Sequence, residues 1–351
     1  MPAQNLPQTA SEYARASRRE HQAALTAVRR QWRRMGRDFD TSWLSVAPAL
    51  LAIIATAQER TARLADAYVP AVLEETGQTR SVAAAAETNL AAFVGVTGSG
   101  AAVADQIGLA PIRAKQARQS HISHDDLTGA TTMVPGMTEA QALASAGQWL
   151  TATVGTILSD TGRAVETTGM ATRNVAGYVR MLVPPSCGRC AVLAGRWYRS
   201  REAFQRHPGC DCRHIPSSER IGGDMTLDLH SYLDGLDDAG RIKVLGSKAN
   251  LEAWRDYGAD PQQIINAYRG GLRTAQDVRG NTVRYTTDAA TRRSLATYRM
   301  RNASRLERDA GAVLLANGRT GLVRRMPETI LRTTQGREAI LRQLRLYGWI
   351  A

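Results

Sequence analysis

Lysine is nearly missing from this chain of 351 residues: three stand against 42 arginines, so the positive charge is almost wholly guanidinium. Aromatic residues are also scarce, at 5 %. With alanine abundant, that balance tilts the expectation toward helices. Four cysteines are too few to form a disulfide scaffold in a chain this long. No apolar run reaches the roughly 20 residues of a membrane span. The longest, Trp43 to Ala57, contains Pro48 and reads as a buried helix. The opening MPAQNLPQTASEYARAS lacks the apolar core of a secretory signal. These absences predict a soluble protein made in a cytoplasm, with no membrane partner. Catalytic signatures are missing too. Gly98-Ser-Gly100 has no strand before it and no GKS or GKT after it, so it reads as a loop rather than a phosphate cradle. There is no GxSxG elbow and no HExxH pair.

What is present is enough apolar residue, 43 %, to bury a core, and length enough for two domains of roughly 100–200 residues. The net charge of +13 is uneven. From Arg269 onward 17 arginines face 6 acids, a net of +11, which leaves +2 for residues 1–268. Such an asymmetry speaks of partners rather than fold: nucleic acid, an acidic protein surface, or simply a solvated face in an arginine-rich proteome.

Periodicity predicts a mainly α fold. Residues 12–37 read as one amphipathic helix with a narrow seam of Leu25, Val28, Trp32 and Met35. Pro48 suits the first turn of a second helix to about Tyr68, and Pro70 that of a shorter piece ending near Gly77. Residues 81–94 read as a further helix, broken at Gly95–Gly100. His121, His124, Asp125 and Asp126 form a polar cluster without helical register, a weak metal candidate. Thr138 and Gln141 make a capping box that opens a helix carrying Leu143, Leu150, Val154, Ile157 and Leu158. The texture then changes: residues 178–216 hold the cysteines and a strand-like Arg196-Trp-Tyr-Arg199. Pro261 opens a helix with Ile264, Ile265 and Tyr268, closed by Gly270-Gly271. Two more helices are expected, over about 288–317 with Asn317-Gly318 as its stop, and one with Ile340, Leu344 and Tyr347 on one face that ends at Gly348. The organisation expected is a long N-terminal helical domain (1–170), a small α+β zinc-stabilised module (171–270) and a helical basic C-terminal tail (271–351).

The informative segment is Cys187-Gly-Arg-Cys190, sixteen residues, then His207-Pro-Gly-Cys210-Asp-Cys212. All four cysteines lie within 26 positions. Two chelating turns supplying thiolate or imidazole ligands complete a tetrahedron, the geometry of structural zinc. Cys187 and Cys190 are one pair. The other two ligands come from His207, Cys210 and Cys212, and spacing does not choose between them. A thioredoxin-like redox pair is disfavoured, since Pro184-Pro185 precede the CxxC where a strand belongs. Catalytic zinc would need an acid or base in a recognisable setting, and neither Asp211 nor Glu202 has one.

Arg180, Cys187-x-x-Cys190, Leu193-Ala-Gly195, Trp197-Tyr198 and His207-Pro-x-Cys-x-Cys212 together resemble the MuF-type phage head morphogenesis family. Asp66-Ala-Tyr-Val-Pro-Ala-Val-Leu73 and Arg337 to Trp349 resemble the ends of its forms in phages of actinobacteria. Asp211 departs from the pattern, which usually has a basic residue there. The resemblance implies a minor capsid protein inside the virion head, assembled in the host cytoplasm. It implies docking on the portal protein and on the major capsid or scaffold protein, with the arginine-rich tail toward packaged DNA or acidic partner surfaces. It implies no enzyme. The rival reading is a capsid maturation protease, for which the sequence offers only Cys187 or Cys210 beside His207. A zinc-bearing DNA regulator of the host ranks last, because it leaves the helical half unexplained.

Overall fold

A computed structural model describes residues 6–78, 83–124, 131–182, 186–193, 195–202, 210, 212–223, 225, 228–269, 272–277, 279–288, 290, 294–305, 307–308, 312–314 and 320–351. It is mainly helical, with a long N-terminal helical region and strands gathered toward the C-terminal part.

Helix α1 (Gln8–Trp32) buries Tyr13, Ala14, Ser17, His21, Ala24, Val28 and Trp32, one face at spacings of three and four. The expected seam is right at Val28 and Trp32 and extends further toward the N-terminus. The Trp32 indole N–H donates to the Leu143 carbonyl at 2.9 Å, fixing α1 against a later helix.

Helix α2 (Phe39–Glu75) corrects the expectation of two pieces. It is a single 37-residue helix with Pro48 and Pro70 inside it, opened by Asp38, whose carboxylate accepts from the backbone N–H groups of Asp40 and Thr41. An interior proline costs roughly 3 kcal/mol. Here Val46 and Leu50 are buried around the first, and Val69, Val72 and Leu73 around the second, so packing across each break outweighs the local penalty. By length and composition alone α2 is long and apolar enough to cross a membrane. Its buried stripe nevertheless belongs to a protein core.

The helix expected over 81–94 is not formed among the described residues; residues 83–89 are irregular and Leu90–Phe93 make one 3-10 turn with nothing buried. The alanines there have no surface to pack on, and a short unpacked helix is marginal in water. Residues 95–102 form the expected loop, and helix α3 (Val103–Ala117) follows, burying Val103, Ile107, Ala110 and Ala114. Strands β1 (His121–His124) and β2 (Thr131–Val134) pair as an antiparallel hairpin. His121 is exposed on β1. Asp125 and Asp126 lie outside the described residues.

Helix α4 (Glu139–Thr172) has the anticipated capping box: Gln141 N–H donates to Thr138 Oγ1, and the Gln141 side chain accepts from Thr138 N–H. Its stripe of Leu150, Val154, Ile157 and Leu158 is buried, with Leu143 half-buried. It ends with Asn174 in the left-handed region (φ 50°), which turns the chain into β3 (Gly177–Met181).

Strand β3 is the centre of a three-stranded antiparallel sheet between β4 (Trp197–Arg199) and β5 (Arg213–Ser217), and every residue of β3 and β5 is buried. Short helices α5 (Gly188–Val192), α6 (Glu219–Gly223), α7 (Leu229–Asp234), α8 (Asp238–Leu245), α9 (Lys248–Tyr257) and α10 (Pro261–Arg269) surround it. The Pro261 helix forms as expected; its proposed stop, Gly270-Gly271, lies outside the described residues.

The C-terminal part is more mixed than the expected helical tail. Strand β7 (Thr282–Thr286) pairs with β6 (Leu272–Gln276) on one side and β10 (Arg324–Arg325) on the other, while β8 (Ala312–Leu314) pairs with β9 (Thr320–Leu322). The long helix expected over 288–317 is therefore corrected to α11 (Leu295–Asn302) followed by strand β8. Only Ala296 and Met300 are buried on α11, too narrow a face to sustain thirty residues of helix. Asn317-Gly318 lies outside the described residues. Two further helices, α12 (Pro327–Thr333) and α13 (Arg337–Leu346), finish the chain, and Ile340, Leu344 and Tyr347 are buried together as expected.

Two large apolar cores result, with a small third cluster of Ala275, Val283, Tyr285 and Val313 among the C-terminal strands. The first joins the C-terminal half of α1, the N-terminal half of α2, α3 and the first half of α4. The second runs from Ala10 and Tyr13 through Tyr68, Val165, the β3–β5 sheet and its cysteines to Leu344, Tyr347 and Trp349.

Candidate metal centre

Strand β3, helix α5 and the approach to β5 bring three cysteines to one point in the second core. Cys187 caps α5 from an extended conformation, and Cys190 N–H and Ala191 N–H both donate to its carbonyl, which is the tight turn a CxxC needs. Cys190 is thereby turned inward. Cys210 and Cys212 stand two apart just before β5. The sulfurs of Cys190, Cys210 and Cys212 all lie within 4.8 Å of one another, and all three residues are buried. Cys190 and Cys210 approach to 3.6 Å, far from bonded, and no disulfide is formed. Cys187, half-buried, makes a hydrogen bond with Cys190 at the edge of the group. His207 lies outside the described residues. The structure thus gathers three of the five expected ligands and sets a fourth beside them.

Spacing alone gave no role to the guanidiniums around the cluster. Arg180, on β3 and 1 % exposed, directs Nη2 at the sulfurs of Cys190 (3.4 Å) and Cys210 (3.8 Å). Burial works against its charge, but interactions with the sulfurs of Cys212, Cys190 and Cys210 more than offset that and push its pKa up. The thiols respond in kind: hydrogen bonds from Cys190 and Cys212 pull Cys210 strongly down, while the bonds among Cys187, Cys210 and Cys212 push Cys190 up. A buried cation facing three sulfurs is stable only if the sulfurs carry negative charge. Arg163, buried on α4, donates to the carbonyls of Cys210 (3.0 Å) and Cys212 (2.9 Å) and is held in turn by Asp160 at 2.8 Å. Arg163 sits 47 residues before Cys210. No local pattern could have joined them.

Two glycines shape the turn. A Cβ on Gly188 would meet the Val244 carbonyl of α8 at 2.3 Å, so the second position of the CxxC must be bare for α8 to pack there. Gly195, at φ 65°, brings its N–H to the Arg180 carbonyl at 3.1 Å and lets the chain return to the sheet.

Beside this cluster lies a second buried polar group. Glu166, fully buried on α4, accepts from the Tyr13 hydroxyl (2.6 Å) and from the His214 backbone N–H (3.1 Å), and pairs with His214 Nδ1 at 2.9 Å. Burial pushes its pKa up, but the His214 and Tyr13 bonds and the His214 and Arg213 charges prevail and hold it at about 2. Glu166 therefore stays ionised and ties α1, α4 and β5 together.

Three buried sulfurs at this separation, with Arg180 behind them and the Arg163 guanidinium fixing the carbonyls of Cys210 and Cys212, form a site that can hold a metal ion. No protein-family model, no curated protein and no solved structure matches this chain.

Proposed function

We propose that the chain is a minor capsid protein of the MuF-like phage head morphogenesis type, built around a structural zinc ion. The observation that carries this reading is the buried thiol cluster with Arg180 behind it. Zinc–thiolate bonds of about 2.3 Å at tetrahedral angles place sulfurs about 3.8 Å apart, and Cys190 and Cys210 stand 3.6 Å apart. Cys190, Cys210 and Cys212 hold the ion, and Cys187 or His207 supplies the fourth ligand. Three or four thiolates around a divalent cation leave a net negative centre, the charge a buried Arg180 requires. The burial of Cys190, Cys210 and Cys212 favours a structural ion over a catalytic one that keeps an open position. The role proposed is therefore not enzymatic. The protein docks on the portal and on the major capsid or scaffold protein inside the head. Exposed C-terminal arginines such as Arg273, Arg279 and Arg301 face packaged DNA or acidic partner surfaces.

Two measurements test this reading. Elemental analysis of the purified chain should find one zinc per molecule, lost in Cys212→Ser together with protease resistance of residues 178–216. A metal-free wild-type chain that resists protease equally well would remove the zinc. Mass spectrometry of procapsids and mature virions should find the chain intact in both, at low copy beside the portal protein. If it disappears on maturation while the major capsid protein gains a new N-terminus, the maturation protease reading takes its place.

A further inference from the structure

The cleft between α1 and α4 has no part in the metal centre and has its own chemistry. Its volume is 720 Å³. Arg18, Arg29 and Arg33 line it from α1 and Arg213 from β5, and among the described residues no carboxylate does. The facing wall of α4 is made of small side chains, including Gly147, Ala152 and Gly155, which is why the space exists. Arg29 and Arg33 are exposed at the mouth. His21 and Arg213 are buried, 8 % and 2 % exposed. His21 Nε2 and both Nε and Nη1 of Arg213 have no hydrogen-bond partner. Buried donors are nearly always paired in folded proteins, so three unpartnered nitrogens on two residues that line one cleft point to a missing acceptor. Burial first, then the Arg213 and Arg163 charges, lower the His21 pKa to about 3, so its ring is neutral near pH 7. Glu166 lies close enough to Arg213 to feel its charge, and the Arg213 guanidinium also sits 5.6 Å over the Tyr13 ring. Neither contact uses the open Nε and Nη1.

We propose that this cleft binds a phosphate group, with Arg29 and Arg33 at its mouth and Arg213 and His21 at its floor. Phosphate fits better than a carboxylate. It offers three or four oxygens in a tetrahedral array to donors arriving from two levels, where a carboxylate offers two in one plane. Guanidinium is also the side chain best matched to phosphate. The group can come from a small phosphorylated molecule or from a nucleic-acid strand, and the test separates these sources. The inference stands apart from the capsid reading and from zinc content.

The experiment is calorimetric titration of the full chain with inorganic phosphate, with adenosine monophosphate and with a single-stranded DNA 12-mer. Two variants accompany it. R29Q/R33Q removes the mouth. Gly155→Leu fills the cleft from α4, where an added Cβ would have only Leu25 near it, at 3.8 Å. Replacing a helical glycine with leucine favours the helix, so this variant should fold. Binding of phosphate and the mononucleotide, at least tenfold weaker in both variants, assigns the cleft to small phosphorylated ligands. Binding of the 12-mer alone, weakened likewise in both, assigns it to a strand. No binding of any probe by the wild type, or binding unchanged in R29Q/R33Q, overturns the proposal.

Discussion

Arginine is concentrated in α1 and again in residues 272–351, but the two regions put it to opposite uses. On α1, Arg15, Arg19, Arg29, Arg30 and Arg33 project from the outer faces and the cleft mouth. In the C-terminal part many guanidiniums are consumed by the fold. Buried Arg324 donates to the carbonyls of Tyr347, Asp288 and Gly348 and to the Gln263 side chain, and it stacks 3.8 Å over the Trp349 ring. Arg299 holds the carbonyls of Arg345 and Ile350, Arg308 those of Arg301 and Ala303, and Arg337 that of Asp256. Formal charge places the basic character near the C-terminus, whereas available charge is shared with α1. A guanidinium with five donors on a long apolar stem can serve as a carbonyl clamp as readily as a ligand for anions.

The contrast breaks most visibly through stability. Trp349→Ala removes a fully buried ring whose indole donates to the Arg325 carbonyl at 2.8 Å. It should cost about 3–5 kcal/mol in urea denaturation. Arg324→Met should cost about 1–3 kcal/mol, since buried carbonyls lose their donor. An unaffected R324M would mean that the C-terminal arginines are not structural after all.

Acid supplies the next effect. The His21 pKa falls from 6.5 in the unfolded chain to about 3 in the folded one. Below pH 6.5 the unfolded chain binds a proton that the folded chain refuses, and stability declines as pH drops toward 3. Glu166, depressed from 4.5 to about 2, contributes stability that is complete above pH 4.5 and is lost as pH falls to 2. Each change amounts to about 3–5 kcal/mol at most. The midpoint temperature plotted against pH should fall in two stages, and His21→Gln should flatten the first. A single stage confined below pH 4.5 would show that His21 is not held neutral.

Thr138→Ala should remove about 1 kcal/mol by thermal melting, the usual worth of such a cap. The smallest stability effects belong to the surface. R29Q/R33Q and R273Q/R279Q should each stay within about 0.5 kcal/mol of wild type. On a phosphate-bearing exchanger, however, the first pair should elute at clearly lower salt than the second. The reverse order would return the anion-facing role to the C-terminal region.

The sequence read well where local chemistry decided the outcome. The Thr138 box, the Pro261 helix and the Ile340–Tyr347 face all depend on residues a few positions apart. It misled where packing overrode local preference. Two prolines were absorbed into α2 because apolar neighbours on both sides were buried. The alanines of 83–86 stayed irregular because nothing covered them. Arg163 and Glu166 escaped notice because their cluster and sheet partners arrive 47 or more residues later or, for Tyr13, 153 residues earlier.

The two cores also differ in when they can exist. Every residue of the first is present once synthesis has passed Leu158. The second needs Trp349, whose carbonyl accepts from Asp260 N–H at 3.1 Å. A nascent chain can therefore settle its helical half early. The second core is complete only once Trp349 has been added.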